Sequence, residues 1–531
     1  MKKQQYIPIE PKLVFAAFAI LFLTLQSCQN SEETLLEAGE ATVNVSMVSV
    51  DSNVEEILLA GTKNSKVSSN LTSDVPATIA FSNSSTIGVS LTSNASSTGN
   101  LLASSGKVAT TGKVPLTKGV KYNVVVYSDE GNYVTEKSYT YGNESTTGGI
   151  TLYAGKNYTF VAYSINNSSA LPNLVNKNKL STAKIDQVSA DLMYFKTKLK
   201  IEFGVTNLNV VLKHQFSEIT TVMTMDPNTT GAFTKIASAV MKPTHSTATL
   251  SLEDDKITYN GENKNGASVT FPSLGTKGLR SVTSVATMLI NPSSTTGSLN
   301  FGSITIDGET KSNVNVANLK VKPGYKYNLN LNFKTCTKDV SGADGLNWRY
   351  PQSKNFWGEV GIYIGNTFYK NGETISKTIT APGADYGFLF DITELDNAFN
   401  MEVNGVKLAT KEIQFQRVNG SSSQNIRFKD GSRYEGSNTQ GGDDIAAVYN
   451  MKGTEAKPLV KIVISRFGEV TMFGSKVNGG PLYELELFNG NTFNTFPWSG
   501  TGTNTVKVTQ LVDGRTFIVG KGSGKTKISC N

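Results

Sequence analysis

Apolar and polar residues alternate with a period of two in many short segments of this chain. The segment 325–334, YKYNLNLNFK, places an aromatic or apolar side chain at every second position and Lys or Asn between them. A strand of this kind covers a core with one face and meets water with the other. The same alternation predicts strands at Leu199–Phe203, Tyr122–Val126 and Tyr158–Ala162, whereas residues 181–194 are predicted to form a short helix or a linker.

A second pattern, Gly-x-x-Tyr-x-apolar, begins at Gly119, Gly155 and Gly324. Gly adopts a positive φ more readily than any other residue, so each copy predicts a turn followed by a half-buried strand. Three copies at unequal spacing do not indicate a solenoid, but they suit the recurring strands of stacked β-sandwiches. We therefore expect an all-β fold.

The composition changes near residue 336, because all three Trp residues and six of the seven Arg residues follow it. Strands are predicted there at Tyr386–Ile392, Glu412–Phe415, Val460–Ser465, Thr471–Phe473, Tyr483–Leu487 and Thr516–Val519. Many short strands joined by Gly and Asn turns predict a separate jelly-roll-like or lectin-like β-sandwich over residues 336–531.

The N-terminus has the pattern of an export signal. Lys2 and Lys3 give a positive start, and the apolar run 13–25 that follows is shorter than a membrane span needs. A small residue then precedes Cys28, and this order indicates a lipoprotein signal peptide over residues 1–27 with lipidation of Cys28. Residues 28–40 are predicted to be a lipidated linker that tethers a body lying in water. An ordinary secretory signal with an incidental cysteine is the alternative.

Two cysteines are left once Cys28 is acylated, Cys336 and Cys530. An even number in an oxidising compartment predicts a disulfide between them. The bond would tie the start of the last domain to its penultimate residue. Two separate buried thiols are the alternative, since sequence alone does not fix a pairing.

Charge and scarce residue types limit the chemistry of the chain. A formal charge of +7 over 531 residues is too weak to indicate nucleic-acid binding. The only two histidines, His214 and His245, lie in unrelated segments, so neither a zinc site nor a Ser-His-Asp triad is predicted. No cofactor or resident metal is expected. Calcium stays an open alternative at the acidic residues of Gly-rich loops, Asp339, Asp344, Asp443 and Asp444.

Residues 520–526, GKGSGKT, imitate a phosphate-binding loop. The full pattern needs a glycine where Val519 stands and a helix after the lysine, yet only five residues follow Thr526. We interpret the segment as a Gly-rich turn between strands. The protein is not expected to be an enzyme, although a glycosidase carboxylate pair stays open because the sequence does not fix the separation of two carboxylates.

Glycan binding is suggested by side-chain chemistry alone. Sugars pack their C–H faces on aromatic rings, and their hydroxyls need planar polar partners. The C-terminal domain supplies such side chains at Trp348, Trp357, Arg433, Tyr434, Asp443, Asp444 and Trp498. The alternative is that these tryptophans belong to the core of the sandwich.

Three features together resemble the fimbrillin family of Bacteroidetes, whose members build type V pili. They are the lipoprotein signal, the segment 194–203 (YFKTKLKIEF) and the segment 319–329 (LKVKPGYKYNL). The resemblance implies two transthyretin-like β-sandwich domains, at 41–193 and 194–335. It also implies a lipoprotein of the outer membrane and cell surface that becomes part of a fimbrium.

Family subunits assemble when a protease removes an N-terminal strand and a neighbouring subunit fills the groove with its own strand. The resemblance implies such β-strand complementation with other fimbrial subunits. The removable strand here is Thr42–Val50, and a permanent first strand is the alternative. Family cleavage is often directed to Arg, but no Arg precedes Arg280, so a cut would fall at Lys63 or Lys66.

A disulfide at Cys530 would pin the C-terminal strand, so the subunit could accept a strand but not donate one. This places it at a filament end, most simply the tip. The resulting hypothesis is a fimbrial tip adhesin whose C-terminal domain binds a glycan or protein receptor. The alternatives are a monomeric surface glycan-binding lipoprotein for nutrient capture and, less favoured, an enzyme such as a glycosidase.

Overall fold

The computed structural model describes residues 39–51, 77–93, 114–276, 278–292, 296–340, 345–415, 424–434 and 445–530. Almost every regular element in these ranges is a β-strand, which confirms the predicted all-β fold. The described residues include one helix, α1 (Glu144–Thr147), and one 3-10 turn (Val448–Asn450). No helix among them is long and apolar enough to span a membrane. Several predicted sites lie outside the described residues: Cys28, Lys63, Lys66, Asp344, Asp443 and Asp444.

The strands before residue 336 are β1 (Glu40–Asp51), β2 (Ala77–Ser82), β3 (Ser85–Ser93), β4 (Lys121–Ser128), β5 (Tyr133–Thr140), β6 (Ile150–Tyr153), β7 (Asn157–Ser164), β8 (Asn173–Val175), β9 (Lys184–Val188), β10 (Met193–Lys200), β11 (Gly204–His214), β12 (Ser217–Met225), β13 (Phe233–Ala237), β14 (Val240–Lys242), β15 (His245–Ser251), β16 (Ile257–Glu262), β17 (Ala267–Ser268), β18 (Ser281–Thr283), β19 (Thr287–Leu289), β20 (Thr296–Ile306), β21 (Glu309–Lys320) and β22 (Lys326–Thr335).

The strands after residue 336 are β23 (Thr337–Asp339), β24 (Gly345–Tyr350), β25 (Ser353–Lys354), β26 (Val360–Ile364), β27 (Thr367–Lys370), β28 (Thr374–Ala381), β29 (Phe388–Leu395), β30 (Ala398–Val403), β31 (Val406–Lys407), β32 (Ile413–Gln414), β33 (Ile426–Phe428), β34 (Val460–Ile464), β35 (Val470–Ser475), β36 (Leu482–Leu487), β37 (Asn504–Leu511) and β38 (Thr516–Lys527).

The first sandwich is organised around a seven-stranded sheet in the order β5-β4-β7-β10-β11-β1-β6. One face of this sheet encloses a core to which β1, β4, β7 and β11 all contribute. At β4 and β7 the opposite face packs on a second core with β9 and β15, which belong to a four-stranded sheet. Burial on both faces explains why these two strands read as nearly continuous apolar runs.

The second sandwich packs a six-stranded sheet, β18-β12-β22-β3-β2 with β19 beside β12, against a five-stranded sheet built on β20. The predicted strand at 325–334 is β22, in which Tyr327, Leu329, Leu331 and Phe333 are buried and the intervening residues are partly or fully exposed. Gly119, Gly155 and Gly324 all have positive φ, as the turn pattern predicts.

The sheets do not follow the predicted boundary between residues 193 and 194. Strands β10 and β11 belong to the same sheet as β1, while β2 and β3 cross over to pair beside β22 in the second sandwich. The prediction of a helix or linker at 181–194 is also wrong, because this segment contains β9 and the start of β10. Phe203 breaks the predicted alternation, since it lies between β10 and β11 with 73% of its surface exposed.

The C-terminal domain is a third sandwich. An eight-stranded sheet, β23-β38-β29-β34-β35-β36-β33 with β24 beside β38, packs over one large core against the five-stranded sheet β28-β37-β30-β31 with β32. A three-stranded sheet, β25-β26-β27, adds Ile362 to the same core.

The Gly-rich segment 520–526 lies within β38 and is not the turn that we predicted from the sequence. Gly520, Gly522 and Gly524 alternate along the buried face, where an added Cβ at Gly522 would stand 2.4 Å from a ring carbon of Phe388. The glycines therefore make room for the rings of β29, and over the described residues 526–530 the lysine is followed by strand and coil, without the helix that a phosphate-binding loop needs.

The second sandwich and the C-terminal domain are joined covalently. The predicted disulfide between Cys336 and Cys530 is present. The backbone N–H of Cys530 donates to the carbonyl oxygen of Asn83 at 2.8 Å, and that of Cys336 donates to Ser84 at 2.8 Å. The penultimate residue is thus fixed to the turn between β2 and β3.

Candidate functional site

Three of the predicted ligand contacts are core residues. Trp348 and Trp498 are only 6% and 8% exposed, and the indole N–H of Trp498 donates to the carbonyl oxygen of Ala384 at 2.9 Å. Tyr434 is fully buried, and its hydroxyl donates to the carbonyl oxygen of Ser475 at 3.0 Å. Burial raises the pKa of the Tyr434 hydroxyl. Their burial favours the alternative considered from the sequence, that these side chains belong to the core.

Arg433 is exposed, unlike the residues just described. Its guanidinium lies 4.8 Å from the ring centre of Phe488, which also receives Arg427 at 5.2 Å. The guanidinium groups of Arg427 and Arg433 both lie over this ring, so the side chain of Arg433 already makes a cation–π contact within the domain.

Trp357 is the predicted residue that the structure presents to solvent. Its side chain is 81% exposed, and that of the neighbouring Phe356 is 94% exposed. The two rings meet edge to face, with centres 5.8 Å apart. Both lie in the hairpin loop between β25 and β26. We refer to residues 355–359 as the aromatic hairpin loop.

The aromatic hairpin loop has a defined backbone. The amide of Gly358 donates to the carbonyl oxygen of Asn355 at 3.0 Å, which closes a β-turn with Phe356 and Trp357 at its centre. Gly358 then has φ of 79°, a value that favours glycine and that completes a common three-residue hairpin connection. The amide of Asn355 donates to Glu359 at 3.1 Å, where the strand pairing resumes.

The side chain of Asn355 holds this turn in place. Its Oδ1 accepts hydrogen bonds from the amides of Trp357 at 3.0 Å and Glu359 at 2.9 Å. Its Nδ2 donates to the Glu359 carboxylate at 2.7 Å. An Asn in this role mimics a backbone turn, so the two rings project from a backbone that is ordered before any ligand arrives.

The sheet behind the loop is anchored on one side and aromatic on the other. Ile362 of β26 is fully buried in the domain core, whereas the next residue, Tyr363, is 41% exposed and lies across from Phe368. The ring of Phe368 passes over Gly361, where an added Cβ would stand 2.8 Å from it. The backbone of the neighbouring strand is closer still, because the carbonyl oxygen of Tyr369 would stand 2.1 Å from that Cβ, so the close approach of the two strands requires glycine here.

The aromatic hairpin loop can bind apolar or amphipathic surfaces. Turn centres normally carry polar residues, and large apolar side chains normally find a packing partner. Aromatic anchors on a preordered backbone are the side chains that contribute most at binding interfaces, and they also stack on sugar faces. Sequence reasoning proposed Trp357 as a candidate contact but did not include Phe356 or Asn355. The signal that was available was an aromatic pair inside an Asn-x-x-Gly turn.

The other chemistry considered from sequence is accounted for by local contacts. His214 Nδ1 lies 2.7 Å from Asp191 and His245 Nδ1 lies 3.0 Å from the carbonyl oxygen of Ile290. Asp339 is paired with Lys525. Within the described ranges, no group of three or more His, Cys, Asp or Glu side chains is arranged to hold a metal ion.

No protein-family model and no curated protein matches this sequence. Solved structures do show similarity. A candidate cell adhesion protein from Bacteroides fragilis is 10% identical, with a TM-score of 0.32, and the match covers 57% of this chain and 94% of that chain. A candidate adhesin from Bacteroides thetaiotaomicron is 16% identical, with a TM-score of 0.27 and coverage of 38% and 73%. Candidate polysaccharide-binding proteins from the same species are 13% identical, with a TM-score of 0.24 and coverage of 36% and 71%.

Proposed function

We propose that this chain is a non-enzymatic adhesive protein of the cell surface, which binds a glycan or protein receptor through the aromatic hairpin loop. The observation that carries the proposal is the pair of solvent-exposed rings at Phe356 and Trp357, held on a turn that Asn355 fixes. Exposed aromatic residues grouped on an ordered backbone mark interaction sites, whereas single exposed residues do not.

The proposal includes attachment to the outer membrane by lipid at Cys28 and assembly with fimbrial subunits. The position of β1 supports assembly by strand exchange. This strand pairs with β11 along most of its length and with β6 only over Glu40–Val43. It buries apolar side chains in the first core at Ala41, Val43, Val45, Met47 and Val50. A strand that replaced β1 would need apolar side chains at the same alternate positions in order to fill this core.

The chain path after β1 is also compatible with removal of this strand. Strand β1 ends at Asp51 in the first sandwich, and β2 begins at Ala77 in the second. A cut at Lys63 or Lys66 would therefore separate β1 from the rest of the chain without breaking the pairing of β2 and β3. Because Cys530 is bonded to Cys336, the C-terminal strand is not free to be donated, which favours a position at the end of a filament.

Adhesion is tested with the full-length protein and two matched variants. We expect the double variant Phe356→Ala/Trp357→Ala to lose binding to a glycan array and to host cells while keeping the wild-type unfolding midpoint. The control is Phe203→Ala, which removes an aromatic residue of similar exposure from the first sandwich. Wild-type binding by the double variant would overturn the proposal.

A second experiment separates a fimbrial subunit from a monomeric glycan-binding lipoprotein. The latter is the alternative because β1 of the same chain fills the groove beside β11. N-terminal sequencing of surface-purified protein distinguishes residue Cys28 from Asn64 or Val67 as the first residue. We expect a cleaved N-terminus on protein that co-purifies with stem subunits. An intact lipidated Cys28 on assembled fibres would contradict the tip position.

A further inference from the structure

One end of the first sandwich presents large apolar side chains to solvent. Tyr153 at the end of β6 is 60% exposed, Phe203 just before β11 is 73% exposed, and Val205 in β11 is 63% exposed. Single exposed apolar residues are common on protein surfaces, whereas residues of this kind that lie together mark an interaction site. We refer to these three residues as the apolar end patch.

The strand register brings Tyr153 and Val205 to the same face of the sheet. Tyr153 is paired with Glu40 of β1, and Val205 is paired with Thr42 of the same strand. Ala41, which lies between these two partners, is buried in the first core, so Glu40 and Thr42 face away from it. Tyr153 and Val205 therefore lie on the outer face, roughly 12 Å apart.

Backbone hydrogen bonds hold the turns at this end together. The N–H of Ala154 donates to the carbonyl oxygen of Gly39 at 2.7 Å, and that of Gly155 donates to Ile201 at 2.7 Å. The N–H of Ile201 donates in turn to the carbonyl oxygen of Lys156 at 2.9 Å. The apolar end patch is thus carried by an ordered backbone that includes Gly39, the residue through which the chain enters β1.

The position of Gly39 determines which end of the sandwich would lie nearest to a lipid anchor. Residues 28–38 separate Cys28 from Gly39, and these eleven residues can span at most about 40 Å. Because the chain enters β1 beside the apolar end patch, an anchor at Cys28 would hold this patch close to the bilayer. Such a tether raises the local concentration of the patch at the lipid surface.

The charges at this end are mixed and do not demand an anionic lipid. The Nζ of Lys156 lies 5.4 Å from the ring centre of Tyr153, and Lys200 is paired with Glu202 at 3.6 Å. Tyrosine is enriched where bilayers meet water, because its ring is amphipathic, and lysine can extend its charge to the headgroups. This set of side chains suits the boundary region of an uncharged bilayer.

The apolar character of the outer face stops a short distance from this end. Asn44 and Ser46 of β1 and Asn207 and Asn209 of β11 come next along the two strands, and all four are exposed. A surface of this kind can place its end in lipid while the neighbouring polar residues stay in water.

We propose that the apolar end patch docks on the bilayer that holds the Cys28 anchor, with Tyr153, Phe203 and Val205 at the boundary between headgroups and acyl chains. This inference rests on the lipidation included in the proposed function, and it concerns the chain before any cut releases β1. An acyl anchor and a docking surface together bind a membrane more firmly than either does alone.

The test uses the full-length lipidated protein, purified in detergent and returned to phosphatidylcholine vesicles. The mass of the N-terminal peptide reports the acylation of Cys28. Cys336 and Cys530 are bonded to each other, so Val205→Cys supplies a reactive thiol for an environment-sensitive fluorophore. Nitroxide-labelled lipids in the vesicles quench this fluorophore when residue 205 contacts the bilayer.

The matched control is Asn209→Cys, which carries the same fluorophore on the same face of β11, four residues or about 13 Å further from the end. Docked apolar groups enter a bilayer by about 5–10 Å, so residue 209 should stay outside it. We expect nitroxide lipids to reduce the fluorescence at Val205→Cys by about half or more and at Asn209→Cys by less than about a tenth. Equal quenching at the two positions, or none at residue 205, would overturn the proposal.

Two double variants in the Val205→Cys background separate docking from adhesion. We expect Tyr153→Ala/Phe203→Ala to remove most of the quenching and Phe356→Ala/Trp357→Ala to retain it. The reverse is expected for glycan binding, which is why Phe203→Ala serves as a control for adhesion. Quenching that survives Tyr153→Ala/Phe203→Ala at its wild-type extent would refute the assignment of these rings.

Failure of this inference can be distinguished from failure of the proposed function. An N-terminal peptide without acyl chains would overturn the anchor and the docking together. Acylated protein whose fluorophore at residue 205 is not quenched would overturn docking alone and leave adhesion through the aromatic hairpin loop standing. Quenching that disappears at high salt would indicate an electrostatic contact and would contradict the apolar contact proposed here.

Discussion

Replacing Gly522 by alanine tests whether the glycines of β38 are required by the rings that pack on them. An ideal Cβ at this position would stand 2.4 Å from Cζ and 3.1 Å from Cε2 of Phe388, and 2.9 Å from Cδ2 of Phe390. These distances are shorter than carbon–carbon contact, so the two rings must move inside a densely packed core. Overpacking of this kind costs about 1–3 kcal/mol.

The unfolded state partly offsets this cost. Alanine restricts the unfolded chain more than glycine does, which stabilises the folded state by about 0.4–1 kcal/mol where the native backbone accepts it. The φ of Gly522 is not positive, so no backbone strain is added. We therefore expect Gly522→Ala to lower the free energy of unfolding of the C-terminal domain by about 1–2 kcal/mol.

Tryptophan fluorescence during urea unfolding measures this domain selectively, because all three tryptophans follow residue 336. The matched control is Gly345→Ala in neighbouring β24, where the nearest atom to an added Cβ is the carbonyl oxygen of Gly520 at 3.6 Å. We expect its free energy of unfolding to equal that of wild type or to exceed it by up to about 1 kcal/mol, because only the effect on the unfolded chain remains. Phe388→Leu should reduce the penalty of Gly522→Ala in a double-mutant cycle. A Gly522→Ala protein as stable as wild type would refute the reasoning.

Two further predictions concern the disulfide and one buried carboxyl group. The double variant Cys336→Ser/Cys530→Ser opens a loop of 194 residues, so we expect the C-terminal domain to lose up to about 5 kcal/mol; a loss below about 1 kcal/mol would contradict this. Burial raises the pKa of Asp396 to about 7. Hydrogen bonds from Asn397, Phe517 and Gln510 act in the opposite direction and only partly offset the effect of burial. The stability contributed by the neutral carboxyl group is present below the unfolded pKa of about 4 and is lost as pH rises through about 7. The free energy of unfolding should therefore fall between these two pH values. Asp396→Asn should make this dependence of stability on pH less steep.

Local patterns predicted the strands of this fold well because side-chain alternation records which face each strand buries. The segment that became β22 has the predicted buried face, and Gly324 before it has the positive φ that the turn requires. The alternation fails at Phe203, where the chain leaves β10 and the residue no longer faces a core. Alternation along the sequence predicts which side chains are buried only within a strand and not beyond its last residue.

Strand partnership across the chain was not accessible from the same patterns. Nothing local to residues 77–93 distinguishes a strand of the first sandwich from one that pairs with β22, some 240 residues away. The Gly-rich segment of β38 shows a related limit, since glycine is depleted in strands unless a neighbour needs its space. That neighbour, Phe388, is remote in sequence.

The candidate site was only partly predictable because residue type does not determine exposure. Trp348, Trp357 and Trp498 are chemically identical, yet two pack in the core and one projects from a turn. The local backbone conformation determines which of the three tryptophans is exposed. Trp357 occupies the centre of an Asn-x-x-Gly turn, where a side chain points away from the sheet.

The two ends of the described chain are held by different kinds of interaction, and the difference bears on the proposed assembly. Strand β1 is held by pairing with β11 and β6 and by burial of apolar side chains, all of which an equivalent strand could reproduce. The C-terminal strand β38 is held by pairing on both sides and by a covalent bond near its end, where Cys530 also donates to Asn83. Because Asn83 lies in the β2–β3 turn, loss of β1 would leave the C-terminus fixed to the second sandwich. In the proposed assembly, an incoming strand would therefore have to replace only pairing and burial at β1, whereas the disulfide would keep β38 from being donated.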